Sequence, residues 1–320
     1  MKRRSVLCIF LASWMAGSQL PAVDLKLPLK PKSVRFAVIG DSGTGFKQQF
    51  EVGRQMADCR QEFPFDSVLM LGDNLYGDQS PADFQRKFEE PYKPLLDAGV
   101  KFYASLGNHD NPNERFYKPF NMGEKRYYNF KNGAVEFFAL DSTYMDPQQL
   151  EWLSKGLQAS NSAWKICYFH HPLYSDGKFH GPSRDLRAML EPIFEKYGVD
   201  VVFSGHEHIY ERIKPQHGIY YFVLGSSGQL RPHNIKKTSS TLAKGFDLDQ
   251  TFMLVEIAGD QFYFQTLSRS GKTVDSGVLE QLKQPLNTLN TNTVMYSQPE
   301  VAQAGGLRFS ATGGTDRAPG

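Results

Sequence analysis

Short apolar segments alternate with longer amphipathic segments along most of the chain. The short segments are rich in β-branched and aromatic residues and are bounded by turn-forming residues, which is typical of buried strands. They predict strands at residues 34–39, 67–71, 101–106, 135–140, 165–169, 199–203, 220–224, 251–257 and 261–267. The longer segments predict helices at residues 47–63, 81–98, 147–159 and 182–196. Strands separated by helices, followed by a later run of strands, favour an α/β fold over a helical bundle.

The composition is that of a globular chain without a strong charge. Of the 320 residues, 40% are hydrophobic and 22% are charged, and the formal net charge is +2. A chain this close to neutrality has no global field that attracts nucleic acid or an anionic membrane, so we expect no nucleic-acid partner. The three cysteines are too few for a disulfide scaffold, although a bond between Cys59 and Cys167 stays possible.

The two ends of the chain differ from its middle. Residues 1–22 combine an early basic cluster, an apolar run from Val6 to Gly17 and small residues after it, which is typical of a cleaved signal peptide and too short to span a bilayer. We therefore expect a secreted or periplasmic protein with no stable membrane association after cleavage. The composition of residues 282–320 favours a flexible tail, which leaves residues 33–281 as the catalytic domain.

Polar residues of the types that bind metals follow five of the predicted strands. In an open α/β sheet, ligands bind beyond the carboxyl ends of the strands, so these residues are expected to meet at one edge. The motifs, in chain order, are Gly40-Asp41, Gly72-Asp73, Gly107-Asn108-His109, Phe169-His170 and Gly205-His206-Glu207-His208.

Each motif alone has an ordinary interpretation, such as a helix N-cap for Asp41. Together they predict a metal site, because carboxylate and amide oxygens suit hard cations and imidazole suits iron, zinc or manganese. Two neighbouring cations also need an anion between them, and Asp73, central in the series, is the candidate bridge.

The same motifs, spread over residues 33–230, resemble those of the purple acid phosphatases, within the metallophosphoesterase or calcineurin-like superfamily. The resemblance rests on GDSG, GDNLY, GNHD, YFHH and GHEH, together with ALDST at residues 139–143, HGP at residues 180–182 and YER at residues 210–212. It implies the small, single-domain form of the family. The expected architecture is an αββα four-layer sandwich of two mixed sheets, with the metals at one edge.

One residue distinguishes this family from most metallophosphoesterases, which carry Asp-X-His in the first motif. Here Gly43 stands at that histidine's position, and Tyr76 in GDNLY replaces the missing imidazole. A phenol with an ordinary pKa of about 10 ionises near neutrality only beside a strong Lewis acid, which favours ferric iron over zinc.

The resemblance implies a binuclear centre with two sets of ligands. A ferric ion would be bound by Asp41, Asp73, Tyr76 and His208. A divalent ion, which could be iron, zinc or manganese, would be bound by Asp73, Asn108, His170 and His206.

Two further histidines match the catalytic histidines of the family, which contact phosphate and protonate the leaving group. They are His109 and His180. Because a bound metal lowers the pKa of water, the resemblance implies an acid phosphatase that hydrolyses phosphate monoesters by means of a metal-bound hydroxide. The expected substrate is a small-molecule phosphate ester.

Two other functions are compatible with the motifs. A phosphodiesterase or nucleotide pyrophosphatase could use the same metals, since loops rather than motifs select the substrate. A non-catalytic metal-binding or phosphate-binding protein could also use this scaffold. The oligomeric state is open. Of the neighbouring residues, Glu207 is expected to face away from the metals, Asp110 to orient His109, and Arg212 either to reach phosphate or to lie in solvent.

Overall fold

A computed structural model describes residues 24–236 and 239–282, and the backbone of Leu307–Arg308. The predicted signal peptide and almost all of the predicted tail lie outside the described residues, so both stay predictions. Within the described part of the chain, none of the helices combines the length and the apolar character that crossing a bilayer requires.

Six strands form the first sheet, in the spatial order β14-β13-β12-β1-β2-β3. The pairs β1/β2 and β2/β3 are parallel, whereas β1/β12, β12/β13 and β13/β14 are antiparallel. The strands are β1 (Val34–Ile39), β2 (Ser67–Met70), β3 (Lys101–Ala104), β12 (Thr251–Ala258), β13 (Gln261–Ser268) and β14 (Thr273–Glu280).

Seven strands form the second sheet, in the order β11-β9-β10-β8-β7-β5-β4. The neighbours β5, β7, β8 and β10 are parallel, and the outer pairs are antiparallel. The strands are β4 (Tyr128–Asn132), β5 (Val135–Ala139), β7 (Trp164–Tyr168), β8 (Val201–Ser204), β9 (Tyr210–Gln216), β10 (Ile219–Leu224) and β11 (Leu242–Phe246). A separate short pair joins β6 (Tyr144–Met145) to β15 (Leu307–Arg308).

The two sheets pack face to face, and aromatic side chains fill the space between them. Phe36 on the first sheet meets Phe137 and Phe203 on the second, with ring centroids 5.1 Å and 6.3 Å apart. Phe222 on the second sheet meets Phe264 on the first at 5.3 Å. Edge-to-face contacts of this kind add to the burial of apolar area, which is the main source of stability in such a core.

Helices cover the outer face of each sheet. The long helices are α1 (Lys47–Glu62), α4 (Pro147–Ala159) and α5 (Arg184–Tyr197), and the short ones are α2 (Pro81–Phe84) and α3 (Lys93–Asp97). Val52 and Met56 of α1 belong to the core that includes the first sheet, whereas α4 and α5 share a smaller core with Phe138 and Val202 of the second sheet. The prediction of an αββα sandwich with two mixed sheets is confirmed.

One predicted helix is wrong. Residues 81–98 form α2, a π-helical turn at Gln85–Glu89 and then α3, instead of one helix. Pro91 explains the break before α3, because proline has no backbone N–H and its ring clashes with the preceding turn, whereas Pro94 lies in the first turn of α3, where proline is tolerated. The two described cysteines, Cys59 and Cys167, are both buried free thiols, so they are not bonded to each other.

Candidate metal centre

Both sheets contribute residues to one site at the carboxyl ends of their parallel strands. Asp41, Asp73 and Asn108 follow β1, β2 and β3 of the first sheet, and the histidines follow β7 and β8 of the second. The backbone N–H of His206 donates to Oδ2 of Asp41 over 2.9 Å, which ties the two sheets together at the site. The structure thus brings all seven sequence-predicted ligand side chains into one region.

A first group consists of Asp41, Tyr76 and His208. The Tyr76 hydroxyl donates to Oδ1 of Asp41 over 3.1 Å and lies 3.2 Å from Nε2 of His208. The same imidazole nitrogen lies 3.5 Å from Oδ1 of Asp41. These atoms belong to side chains that are buried or nearly so, and they point toward a common centre.

A second group consists of Asn108, His170 and His206. Nε2 of His170 lies 3.0 Å from Oδ1 of Asn108 and 3.1 Å from Nδ1 of His206. The other ring nitrogen of His170 lies 2.9 Å from the Leu71 carbonyl oxygen, which can only accept. That contact places a proton on Nδ1, so Nε2 is the ring nitrogen that faces the site and could bind a cation.

Asp73 lies between the two groups. Its Oδ2 is 3.4 Å from Nε2 of His170, and it offers an oxygen within 4.8 Å of ligand atoms of Asp41 and His208. Its Oδ1 accepts from the backbone N–H of His109 over 2.9 Å. One carboxylate is therefore adjacent to both groups, which is the position that a bridging ligand needs.

Unusual backbone conformations place these side chains. Asp41, Asp73 and His206 have φ values of 53°, 51° and 68°, in the left-handed region that costs a residue other than glycine about 1 kcal/mol or more. Two glycines let the backbone pass close to the carboxylates. A Cβ on Gly107 would lie 2.2 Å from Oδ1 of Asp73, and a Cβ on Gly205 would lie 2.4 Å from Oδ2 of Asp41. The chain accepts strain where the ligand side chains converge.

Charges in the site are strongly coupled. Burial opposes the charged forms of Asp73 and His170, but their mutual attraction outweighs it: the pKa of Asp73 is held well below its usual range, and that of His170 is raised to about 10. Burial, with the neighbouring carboxylates of Asp41 and Asp73, raises the pKa of the Tyr76 phenol well above its ordinary value. A phenolate at Tyr76 therefore requires a strong cation beside it.

The donor set fits two cations. It combines buried carboxylates, an amide oxygen, imidazoles and a phenol, which are the oxygen and nitrogen donors suited to iron, zinc and manganese. The ligand atoms of Asp41, Asp73 and His208 all lie within 4.8 Å of one another, and so do those of His170, His171 and His206. The arrangement gives two adjacent places for a cation, with Asp73 near both.

The two predicted catalytic histidines flank the centre on its exposed side. The His109 ring lies beside Tyr76, with centroids 4.9 Å apart, and the His180 ring lies 4.0 Å from that of His206. Both side chains reach solvent, so a ligand can contact them. Burial, with the positive charges of Arg231, His208 and His170, lowers the pKa of His180 to about 4.

Three neighbouring residues have structural roles. Glu207 faces away from the two groups, as the sequence predicts. Asp110 accepts hydrogen bonds from the backbone N–H groups of Gly107 and Leu75, so it orders the two ligand loops rather than the His109 ring. Arg212 pairs with Asp275 through two hydrogen bonds of 2.8 Å and 3.3 Å, in place of a phosphate or solvent role.

Sequence reasoning missed a buried network behind the site. The Asn74 amide donates to Asp110 and Glu114 over 2.9 Å and 3.3 Å. Burial, with the charge of Asp73, raises the pKa of Asp110 to about 7, and burial also raises that of Glu114 well above its usual value. Asn74 adjoins the predicted ligand Asp73 and Asp110 adjoins the predicted catalytic residue His109, which is the only sequence signal for the network. Glu114 stands apart from any motif.

Comparison with known proteins identifies the family. The model of the calcineurin-like phosphoesterase family matches residues 34–210, which is just over half of the chain. Tartrate-resistant acid phosphatase type 5 of Rattus norvegicus is 25% identical over an alignment 302 positions long. The alignment covers 79% of this chain and 92% of the relative.

Two solved structures share the fold. GAP50 of Plasmodium, described as the anchor in the inner membrane complex, has a TM-score of 0.68 at 18% identity and covers 79% of this chain and 90% of its own. Purple acid phosphatase PPD1 of yellow lupin (Lupinus luteus) has a TM-score of 0.66 at 18% identity and covers 83% of this chain but 58% of its own. The family model, the arrangement of strands and the residues at their carboxyl ends agree, and the chain belongs to the calcineurin-like phosphoesterase family.

Proposed function

We propose that this protein is an acid phosphatase that hydrolyses phosphate monoesters at a binuclear, iron-containing centre. The observation that carries the proposal is the convergence of seven side chains from both sheets into two adjacent groups that share Asp73. The relatives named as tartrate-resistant and purple acid phosphatases support the same reaction.

The proposed ligands divide as the two groups do. Asp41, Tyr76 and His208 would hold a ferric ion, and Asn108, His170 and His206 would hold a divalent ion, with Asp73 shared. Bound cations would act as Lewis acids on the phosphoryl group and supply the hydrolytic nucleophile from water. Tyr76 supports iron at the first position. Its phenol is buried beside the carboxylates of Asp41 and Asp73, so it loses its proton only when a strong Lewis acid binds to it.

The residues of the chain itself position the substrate and move one proton. His109, beside Tyr76, is placed to donate a hydrogen bond to a phosphoryl oxygen, where negative charge develops. As the oxygen of water forms the new P–O bond, the P–O bond to the leaving group breaks. His180 gives its proton to the departing oxygen, and the products are an alcohol and inorganic phosphate. Because burial and the neighbouring positive charges lower the pKa of His180 to about 4, its protonated form is populated at acidic pH, where an acid phosphatase works.

We also propose that residues 33–281 are the catalytic domain and that the protein is exported. The signal-like composition of residues 1–22 supports export. Cleavage should appear in the mass of the N-terminal peptide of the mature protein.

Metal analysis combined with a visible spectrum tests the centre. Purified protein should contain about two metals per chain, at least one of them iron, and should show a visible charge-transfer band. Tyr76→Phe should lose the band, whereas Tyr220→Phe, which removes a hydroxyl that donates to the Glu280 carbonyl, should keep it. A colourless, iron-free and active enzyme would overturn the assignment of iron.

Activity assays test the reaction. With p-nitrophenyl phosphate and bis(p-nitrophenyl) phosphate side by side, the monoester should be hydrolysed faster, with an optimum below neutrality. Preference for the diester would favour the phosphodiesterase alternative. Hydrolysis of neither ester by a fully metal-loaded protein would favour a binding protein.

A further inference from the structure

Glu207 lies between two of the proposed ligands in sequence but faces the opposite direction. Its side chain is completely buried. Oε1 accepts hydrogen bonds from the backbone N–H groups of His180 and Gly181, over 2.8 Å and 2.5 Å. Successive side chains of this segment thus point to opposite sides. His206 and His208 face the metal centre, and Glu207 holds the loop that carries His180.

The second oxygen of Glu207 connects this loop to another segment. Oε2 accepts from the side-chain amide of Asn234 over 2.6 Å. Asn234 in turn accepts the backbone N–H of Lys178, at its own carbonyl oxygen over 2.8 Å and at Oδ1 over 3.2 Å. Three N–H donors therefore converge on one carboxylate, and charge-assisted hydrogen bonds of this kind are the stronger ones in proteins.

Close packing keeps the carboxylate in place. A Cβ on Gly177 would lie 2.2 Å from Cδ of Glu207, so only glycine leaves room for the carboxylate at that point of the loop. Four residues later along the chain, Gly181 has a φ of 73°, which turns the loop beside His180. The carboxylate and the shape of the loop depend on each other.

The His180 side chain lies at the surface and contacts the rings of His206 and Phe179. It is exposed, and its ring lies 4.0 Å from that of His206 and 6.4 Å from that of His208. Its neighbour Phe179, whose ring centroid is 4.6 Å away, is itself 54% exposed. The position of the His180 ring relative to the metal centre therefore depends on the backbone that carries it, and Glu207 holds that backbone.

We propose that Glu207 is a positioning residue that keeps His180 within reach of the leaving group. The inference rests on the proposed function, because it assigns His180 the proton transfer described above. Glu207 does not face the metal centre, so its loss should leave metal binding intact. It should lower kcat more than it changes KM, and most for substrates whose leaving group needs a proton.

Hydrogen–deuterium exchange measured by mass spectrometry tests the anchoring without reference to activity. In Glu207→Ala, peptides covering residues 177–182 should exchange about tenfold faster or more, because the N–H groups of His180 and Gly181 lose their acceptor. Glu136→Ala is the matched control, since Glu136 is 4% exposed and accepts hydrogen bonds from Asn129 and Ser160. It lies near the start of β5, far from the centre, and should leave these peptides unchanged.

Leaving-group dependence tests the consequence for catalysis. A positioned general acid contributes roughly 10²–10⁴-fold, so misplacing it should lower kcat about 10–100-fold for an alkyl phosphate and much less for p-nitrophenyl phosphate. His180→Ala should show the same pattern, and the double variant should be little worse than either single variant. Metal content, measured in every variant, should stay at the wild-type value.

A second variant distinguishes a displaced carboxylate from a general loss of folding in Glu207→Ala. Gly177→Ala keeps the Glu207 carboxylate but displaces it, so it should reproduce faster exchange in residues 177–182 and the same leaving-group dependence. If Glu207→Ala and Gly177→Ala leave both exchange and leaving-group dependence unchanged in an active enzyme, the inference is wrong. If the wild-type enzyme hydrolyses no phosphate ester, the proposed function fails instead, and the exchange result alone decides whether Glu207 anchors the loop.

Discussion

Glu211, three residues beyond His208, is a second buried carboxyl group behind the same loop. It accepts hydrogen bonds from the Ser175 hydroxyl over 2.6 Å and from the backbone N–H of Asp176 over 3.0 Å. Burial outweighs these hydrogen bonds and raises the pKa of Glu211 to about 8. The folded chain therefore binds this proton more tightly than the unfolded chain does.

Stability should consequently fall as Glu211 is deprotonated. The stabilisation that comes from a raised pKa in the folded state is fully present below the unfolded value of 4.5, and it is lost as the pH rises through about 8. Glu211→Gln mimics the protonated form at every pH. Its free energy of unfolding, relative to wild type, should increase by roughly 2–4 kcal/mol between about pH 5 and about pH 8.

Urea unfolding across that pH range measures the effect. Glu151→Gln is the control, because Glu151 is exposed and pairs with Lys155 on the surface of α4, so its difference from wild type should stay small. Parallel pH profiles for wild type and Glu211→Gln would contradict a raised pKa at Glu211.

At the scale of the element, α5 carries an internal proline that its amphipathic pattern tolerates. Leu186, Leu190 and Phe194 form its buried face, whereas Pro192 is exposed. A proline at this position cannot donate the helical hydrogen bond to the carbonyl oxygen of residue 188. Packing of the buried face against the second sheet therefore offsets the loss of this backbone hydrogen bond.

Replacing that proline should stabilise the protein. Pro192→Ala restores the missing donor without removing buried surface, and we expect the free energy of unfolding to rise by about 1–3 kcal/mol. Pro147→Ala is the matched control: Pro147 occupies the first turn of α4, where no helical hydrogen bond is lost, so no gain is expected. Equal gains in both variants, measured by urea unfolding, would show that the missing hydrogen bond is not the cause.

Most of the strands that the sequence failed to predict in the two large sheets lie at their edges. β4, β11 and β14 are edge strands, and β9 lies between β10 and the edge strand β11. Their burial patterns mix exposed and half-buried positions, as in Tyr128–Asn132 and Thr273–Glu280, so they lack the continuous apolar run of a central strand. All nine predicted strands occur: eight of them are central strands that are mostly buried on both faces, and the ninth is the edge strand β3.

The candidate site was predictable for a related reason. Each ligand-type residue follows a strand that is itself easily recognised, as Asp41 follows β1 and His170 follows β7. Parallel strands bring such positions to one edge. The contacts of Glu207 with His180 and of Asn74 with Glu114 join segments far apart in the chain, and no local pattern indicates which carboxylate meets which loop.

At the scale of the whole molecule, bound metals would join the two sheets. Asp41, Asp73 and Asn108 come from the first sheet, and His170, His206 and His208 from the second. A ligand that binds only the folded state stabilises it, by about 2.7 kcal/mol when its concentration is one hundred times its dissociation constant. Removing the metals should therefore weaken the docking of the sheets as well as abolish hydrolysis.

Thermal unfolding before and after chelation tests this link. Chelation should lower the unfolding temperature of the wild-type protein by several degrees, and readdition of metal should restore it. Asp73→Asn, which removes the shared carboxylate, should respond much less to the chelator. An unfolding temperature that is indifferent to chelation in wild-type protein shown to hold metal would contradict the prediction.

The left-handed backbone at Asp41, Asp73 and His206 has an evolutionary consequence. At each of these positions glycine would relax the local conformation, but at Asp41 and Asp73 it would also remove the acceptor of a backbone N–H group. Backbone strain and hydrogen bonding thus act in opposite directions on the same two carboxylates. Relaxed selection for turnover would therefore not by itself favour replacing them.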